Sequence, residues 1–299
     1  MADFGRPVSF GISIDPTAAG FAPSLDIAQR ADRAGLDYLA VQDHPYQPGY
    51  LDMWTMVTYL LARTERISVL PDVADLQLRP PTILAKAAAS LAAMAGGRVQ
   101  LGVGGGASAP AIASMGGIPR SGSSMVTFTD EAIQILRQAL KGDAIEARTD
   151  QHQVTGYQAG PIPPKPIEVW VGAQKPKMLA VTGRSSDGWV CPLNIYIAPD
   201  EVPGLQSLID KAAADAGREP REVRRIYNVL GSVGGHRGGQ GLLGPVEQWV
   251  DTLADWTVRL GFDTFVFWPI TDPAGQLEIF TTQVVPAVRA RVAELRDRA

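Results

Sequence analysis

Short apolar runs rich in β-branched residues alternate with longer stretches whose apolar positions recur every three or four residues. Val8–Ile14 reads as strand one. Ser24 is placed to cap the next helix with Asp26 in its first turn, Ile27, Ala31 and Ala34 share its buried face, and Gly35 suits its end. Tyr38–Gln42 predicts strand two, Asp52 opens a helix to Ala62, and Ile67–Val73 predicts strand three. Pro81 suits a first helical position, and that helix runs to Gly96-Gly97 before strand four, Val99–Val103. Glu168–Val171, Gly188–Cys191, Arg224–Val229 and Thr264–Trp268 complete the strands. Helices are expected from about Pro176, over Asp200–Ala216, along the stripe Val246, Trp249, Val250, Leu253, Trp256 and Leu260, and along Leu277 to Leu295.

The rhythm breaks in two places. Gly104–Met125 is a Gly/Ser-rich loop; Thr127 and Asp130 then have capping-box spacing before a helix Glu131–Leu140, and Gly142–Pro166 reads as a polar excursion outside the core. Gly231–Gly244 carries seven glycines and is expected to be mobile, a lid that orders on binding. Strands separated by helices imply a parallel sheet, and eight such units favour a (β/α)8 TIM barrel with insertions after strands four and seven, residues 1–299 forming a single domain. The alternative is an open doubly wound sheet.

The hydrophobic fraction of 45% supplies a large core, and the formal charge of −4 comes without a Lys/Arg cluster. Nucleic acid and anionic membranes are therefore not expected as partners. No apolar run approaches the roughly 20 residues of a membrane span, and no signal-peptide pattern opens the chain, so a cytoplasmic protein is expected. One cysteine, Cys191, excludes an internal disulfide and a thiolate metal cluster. No His/Asp/Glu set has zinc-like spacing, so no metal is expected.

In a barrel the active site lies where strands end and βα loops begin. His44, just past strand two, is one of three histidines and the one on that rim; His152 falls in the excursion and His236 in the glycine loop. Its imidazole suits proton exchange near neutral pH or orientation of a ring, the plainer reading being a loop cap. Asp43 could position it or serve as a turn carboxylate. Gly104, Gly105 and Gly106 can offer N–H groups to an anion or make a tight turn. Gly172, Ala173 and Gln174 precede the helix at Pro176, whose N-terminus is a natural phosphate site. Asp72, Asp75, Glu168 and Asp187 invite a hydrolase reading but do not form a convincing flanking pair. Trp268, at a strand end, could face a ring.

Several stretches together resemble the luciferase-like monooxygenase superfamily, which holds FMN enzymes and coenzyme F420-dependent oxidoreductases. They are Ala31–Asp37 leading into Gln42-Asp43-His44-Pro45; Ala62–Ile67; Leu78–Lys86; Gly96–Gly104; Val169–Gly172 with Pro176–Leu179; Asp187-Gly188-Trp189; and Gly261–Val266. The resemblance implies a flavin-type ring in the barrel mouth beside Asp43 and His44. It implies a cis peptide at Asp72-Val73 behind the ring, with Ala74 following. The phosphorylated tail is expected along Gly104–Gly106 and Gly172–Gln174. It favours coenzyme F420 and hydride exchange with a small organic substrate over FMN-dependent monooxygenation. A non-catalytic flavin-binding protein is the other reading on the same fold. Members of the superfamily are often dimers, so a second copy is a possible partner. The loop Gly105-Gly106-Ala107-Ser108 lacks the acidic or aromatic residue often found there, which puts acid catalysis from that loop in doubt.

Overall fold

The strands lie parallel because helices return the chain to the same end of the sheet between successive strand units. In the computed structural model, which describes residues 3–234 and 239–298, they are β1 (Ser9–Ile14), β2 (Tyr38–Val41), β3 (Ser68–Pro71), β4 (Ala74–Asp75), β5 (Leu101–Gly104), β8 (Val169–Gly172), β9 (Gly188–Cys191), β10 (Arg224–Val233), β11 (Leu242–Gly244) and β12 (Thr264–Pro269). The sheet runs β3-β2-β1-β12-β10-β9-β8-β5-β4, with β11 paired to β10. A parallel bridge between Val69 and Val99 joins β3 to the start of β5, so the barrel is nearly closed. β3 and β4 together form strand three of the expected eight, interrupted at Asp72 and Val73. The helices α1 (Phe21–Ala34), α2 (Met53–Ala62), α3 (Pro81–Met94), α4 (Ala109–Ser114), α5 (Gly122–Lys141), α6 (Pro176–Ser185), α7 (Val202–Asp215), α8 (Val246–Val258), α9 (Pro273–Ile279) and α10 (Val285–Asp297) accompany the strands.

Two helix starts differ from the pattern. α1 begins at Phe21 behind Gly20, so Ser24 lies inside it, its hydroxyl donating to the Asp15 carbonyl, and Asp26 is not in the first turn. α5 begins at Gly122 behind Ser121, so Thr127 and Asp130 are interior; Asp130 instead receives Arg184 and Ser185 from α6. The Gly104–Met125 stretch is not all loop, because Ser108 caps α4. The Gly142–Pro166 excursion holds an antiparallel hairpin of β6 (Ala144–Arg148) and β7 (Gln153–Gln158). Strand seven extends to Val233, and Leu242–Gly244 pairs with it, so both ends of the glycine loop belong to the sheet. Residues 235–238 of that loop, His236 included, lie outside the described residues.

Side chains of a strand alternate between faces. Leu39, Val41, Val69, Val103, Val171, Trp189 and Phe267 pack outward under the helices. Ala40, Leu70, Trp170, Val190, Ile226 and Val266 fill the barrel interior, with Tyr38 meeting Trp170 edge-on at 5.3 Å. Gly188 leaves the space that the Trp170 ring occupies. The barrel is thus plugged below its mouth. Trp170→Ala should lower stability by about 3–5 kcal/mol through the cavity it opens, measurable by urea unfolding; a loss under about 1 kcal/mol would contradict the plug.

Candidate active site

One more step of the same alternation carries each strand to the C-terminal rim. Gln42, Asp72, Gly104, Gly172, Pro192, Asn228 and Trp268 there line a pocket of about 430 Å³. All eleven residues singled out from the sequence line it: Asp43, His44, Asp72, Val73, Ala74, Gly104, Gly105, Gly106, Gly172, Ala173 and Gln174. Asp75 and Trp268, also named from the sequence, line it too, and Tyr46, Tyr196 and Asn228 join them unforeseen. An adjoining recess of about 340 Å³ shares Gln42 and Trp268 and reaches Ser13, Asp15, Tyr50 and Leu230.

The Asp72-Val73 peptide is cis, as the resemblance implied. The Val73 side chain faces the Cα atoms of Gly104 and Gly172; a Cβ on Gly104 would stand 2.8 Å from a Val73 methyl, and one on Gly172 3.1 Å. These two glycines therefore make room for an apolar back wall. Gly106 adopts φ +92°, where its missing side chain also admits Gln77 and Asp75. Gln77 donates to the Gly105 carbonyl at 2.5 Å and receives the Arg120 N–H, fixing this loop. Among the described residues, the backbone N–H groups of Gly105, Gly106 and Gln174, all on pocket-lining residues, have no backbone acceptor.

Asp43 does not orient His44. Its fully buried carboxylate receives Arg79 through two bonds, Nε at 2.8 Å and Nη2 at 2.7 Å, and the Asp75 backbone N–H at 2.9 Å. Arg79 also reaches Asp52, the N-cap of α2, at 2.8 Å. One guanidinium therefore staples both ends of the loop that carries His44. Burial works against the Arg79 charge, but the Asp43 and Asp52 carboxylates more than reverse it and raise its pKa. Asp75 is shifted up by burial, opposed by the Gln77 N–H and reinforced by the neighbouring Asp43 charge. The His44 ring itself meets Tyr46, with Nδ1 2.8 Å from the phenol oxygen.

Asp72 is partly exposed as a residue, but its carboxyl oxygen Oδ2 is sealed from solvent without a partner. Burial pushes its pKa up to about 6, against a hydrogen bond from Asn228 Nδ2 at 3.2 Å. Asn228 Oδ1 and Trp268 Nε1 are likewise buried and unpartnered. Buried polar atoms normally find partners, and these three unpartnered ones belong to residues that line one pocket.

The remaining candidates are structural. Cys191 is buried, and burial raises its thiol well above the usual range. His152 stacks on Phe128 at 4.4 Å and meets its carbonyl at 2.9 Å, away from the mouth. Glu168 and Asp187 sit at the opposite barrel end, held by Arg224 and Arg137. No metal-binding cluster occurs among the described residues, and no helix among them is long and apolar enough to cross a membrane.

Residues 3–236 match the family described as luciferase-like monooxygenase, and the chain belongs to it. The 5,10-methylenetetrahydromethanopterin reductase of Methanolobus tindarius is 30% identical over 223 residues, 72% of this chain and 63% of the reductase. The match thus spans under two thirds of that enzyme. The F420-dependent glucose-6-phosphate dehydrogenase of Nocardia farcinica is 27% identical over 228 residues, 71% of this chain and 66% of the dehydrogenase. An F420-dependent secondary alcohol dehydrogenase, solved with an F420–acetone adduct, superposes with a TM-score of 0.83 at 18% identity, over 94% of this chain and 99% of that one. That likeness is one of fold.

Two outcomes follow from the site. Arg79→Met leaves Asp43 buried and unpaired beside Asp75, so chemical denaturation should show a loss of about 3–5 kcal/mol; an unchanged midpoint would remove the staple from the account. For Asp72 the folded pKa lies above the ordinary carboxylate value, so the folded state binds the proton more tightly. Its contribution is favourable below pH ~4 and is lost as pH rises through about 6. Measured against Asp72→Asn, the ligand-free chain should lose stability over that window; a flat difference would show that Asp72 is not buried as described.

Proposed function

We propose that the chain is an oxidoreductase that binds a flavin-type cofactor in the barrel mouth, coenzyme F420 in preference to FMN, and exchanges hydride with a small organic substrate. The observation that carries this is a pocket of about 430 Å³ that gathers His44, Asp72, Asn228 and Trp268 around an apolar wall made by Val73. A flat heteroaromatic ring with donors and acceptors along one edge suits that combination, and the volume is in the range of small-molecule sites. When bound, the cofactor supplies the hydride donor or acceptor.

The protein's part is binding and orientation. Val73 and Ala74 support the ring, while Asp72, Asn228 and Trp268 hold its polar edge. Gly104–Gly106 and Gly172–Gln174 offer N–H groups for a phosphorylated tail. Asp43 acts through the Arg79 staple, keeping the His44 loop against the pocket. His44 stands at the rim to exchange a proton or a hydrogen bond with a substrate oxygen. The adjoining recess gives the substrate room. No Lys or Arg lines either cavity among the described residues, which favours an uncharged substrate. The barrel supplies all of these groups, so the chain works as one domain. The F420-dependent relatives support the choice of cofactor.

Fluorescence titration of the purified chain with F420 and with FMN tests the reading. Tight binding of F420 is expected, and His44→Ala should retain it while turnover falls about 100-fold. Binding of FMN alone would replace hydride exchange by oxygen-using monooxygenation. Undiminished turnover in His44→Ala would remove the catalytic histidine, and binding of neither cofactor would reject the proposal.

A further inference from the structure

The Tyr46 hydroxyl is the one group among the described residues that hydrogen-bonds the His44 ring, 2.8 Å from Nδ1. Two arrangements satisfy this distance. Either the phenol donates to a bare Nδ1, or an Nδ1–H donates to the phenol oxygen. They place the proton of the neutral imidazole on opposite nitrogens, and therefore present opposite functions to the pocket.

Three observations favour the phenol as donor. Tyr46 keeps its proton, because burial raises its pKa and the Asp75 and Asp43 charges raise it further. That proton needs an acceptor, and Nδ1 is the acceptor within reach among the described residues. The separation also matches the shorter range of O–H donors better than the longer one of N–H donors. An imidazole lone pair accepts a hydrogen bond much better than a phenol oxygen does. Nε2, by contrast, has no partner among the described residues and is not one of the buried unpartnered atoms, while the ring lines the pocket.

We propose that Tyr46 is a positioning residue that donates to Nδ1 and fixes neutral His44 with its proton on Nε2, so that the histidine offers the pocket an N–H donor suited to a substrate carbonyl oxygen. The consequence for substrate rests on the oxidoreductase reading above; the tautomer does not. In this tautomer His44 polarises a carbonyl compound through a hydrogen bond from Nε2. As hydride from the cofactor adds to the carbonyl carbon, the C=O π pair moves to the oxygen, the Nε2–H stabilises that negative charge, and solvent water delivers the proton that completes the alcohol.

Two-bond proton–nitrogen NMR spectra of the chain labelled with ¹⁵N at histidine read the tautomer directly, His44 being assigned by its loss in His44→Gln. At a pH where the ring is neutral, Nδ1 should resonate as an unprotonated nitrogen and Nε2 as a protonated one. Tyr46→Phe keeps the aromatic ring and should move both signals toward the average of the two tautomers. A protonated Nδ1 in the unaltered chain, or a pattern unchanged in Tyr46→Phe, overturns the proposal. With F420 bound and a ketone as substrate, Tyr46→Phe should lower kcat about tenfold with F420 affinity retained; an unchanged kcat overturns the catalytic consequence. The NMR result is the same whether or not F420 binds, so an error in the cofactor and an error in the tautomer are told apart.

Discussion

A single half-buried guanidinium governs the mouth of this barrel. Arg79 donates to Asp43, just past the end of β2, and to Asp52 at the start of α2, closing the loop between them. Withdrawing such a charge from water is costly, and only well-formed bonds to both carboxylates offset it. The planar fork of arginine makes two bonds to Asp43 and a third to Asp52, which a lysine could not reproduce. Asp43 is then free to receive the Asp75 N–H, tying the interrupted strand three to the end of strand two. The loop that carries His44 and Tyr46 is held between these two anchors.

Above that junction the site is a matter of volume. Large inward residues, Trp170 and Tyr38, close the barrel lower down, whereas the next inward positions on neighbouring strands are Gly104 and Gly172. The barrel is solid below and hollow at its mouth. Val73 fills the space beside those glycines and leaves an apolar wall, so the polar orphans Asp72, Asn228 and Trp268 stand out by contrast.

Much of this was legible in the chain because strand periodicity and βα order are strong signals, and residues just past each strand end must share one rim. That is why Asp43, His44, the two glycine segments and Asp72-Val73 were found together. Local capping signals misled at Ser24 and at Thr127 with Asp130, where hydroxyl and carboxylate are engaged by the Asp15 carbonyl and by α6 instead. Arg79 lies within the Leu78–Lys86 stretch, but its role is hidden in the sequence because its partner Asp43 is 36 residues away. Asn228 could have been reached by counting inward positions from Ile226, two residues earlier on the same strand. Tyr46 carries no signal of its own, because a loop tyrosine acquires meaning only from the ring it meets.

The most direct test of the whole account is a crystal structure of the chain soaked with coenzyme F420. The account predicts the tricyclic ring against Val73, with its polar edge meeting Asp72, Asn228 and Trp268. A ring bound elsewhere on the surface, leaving those three side chains without partners, would contradict it.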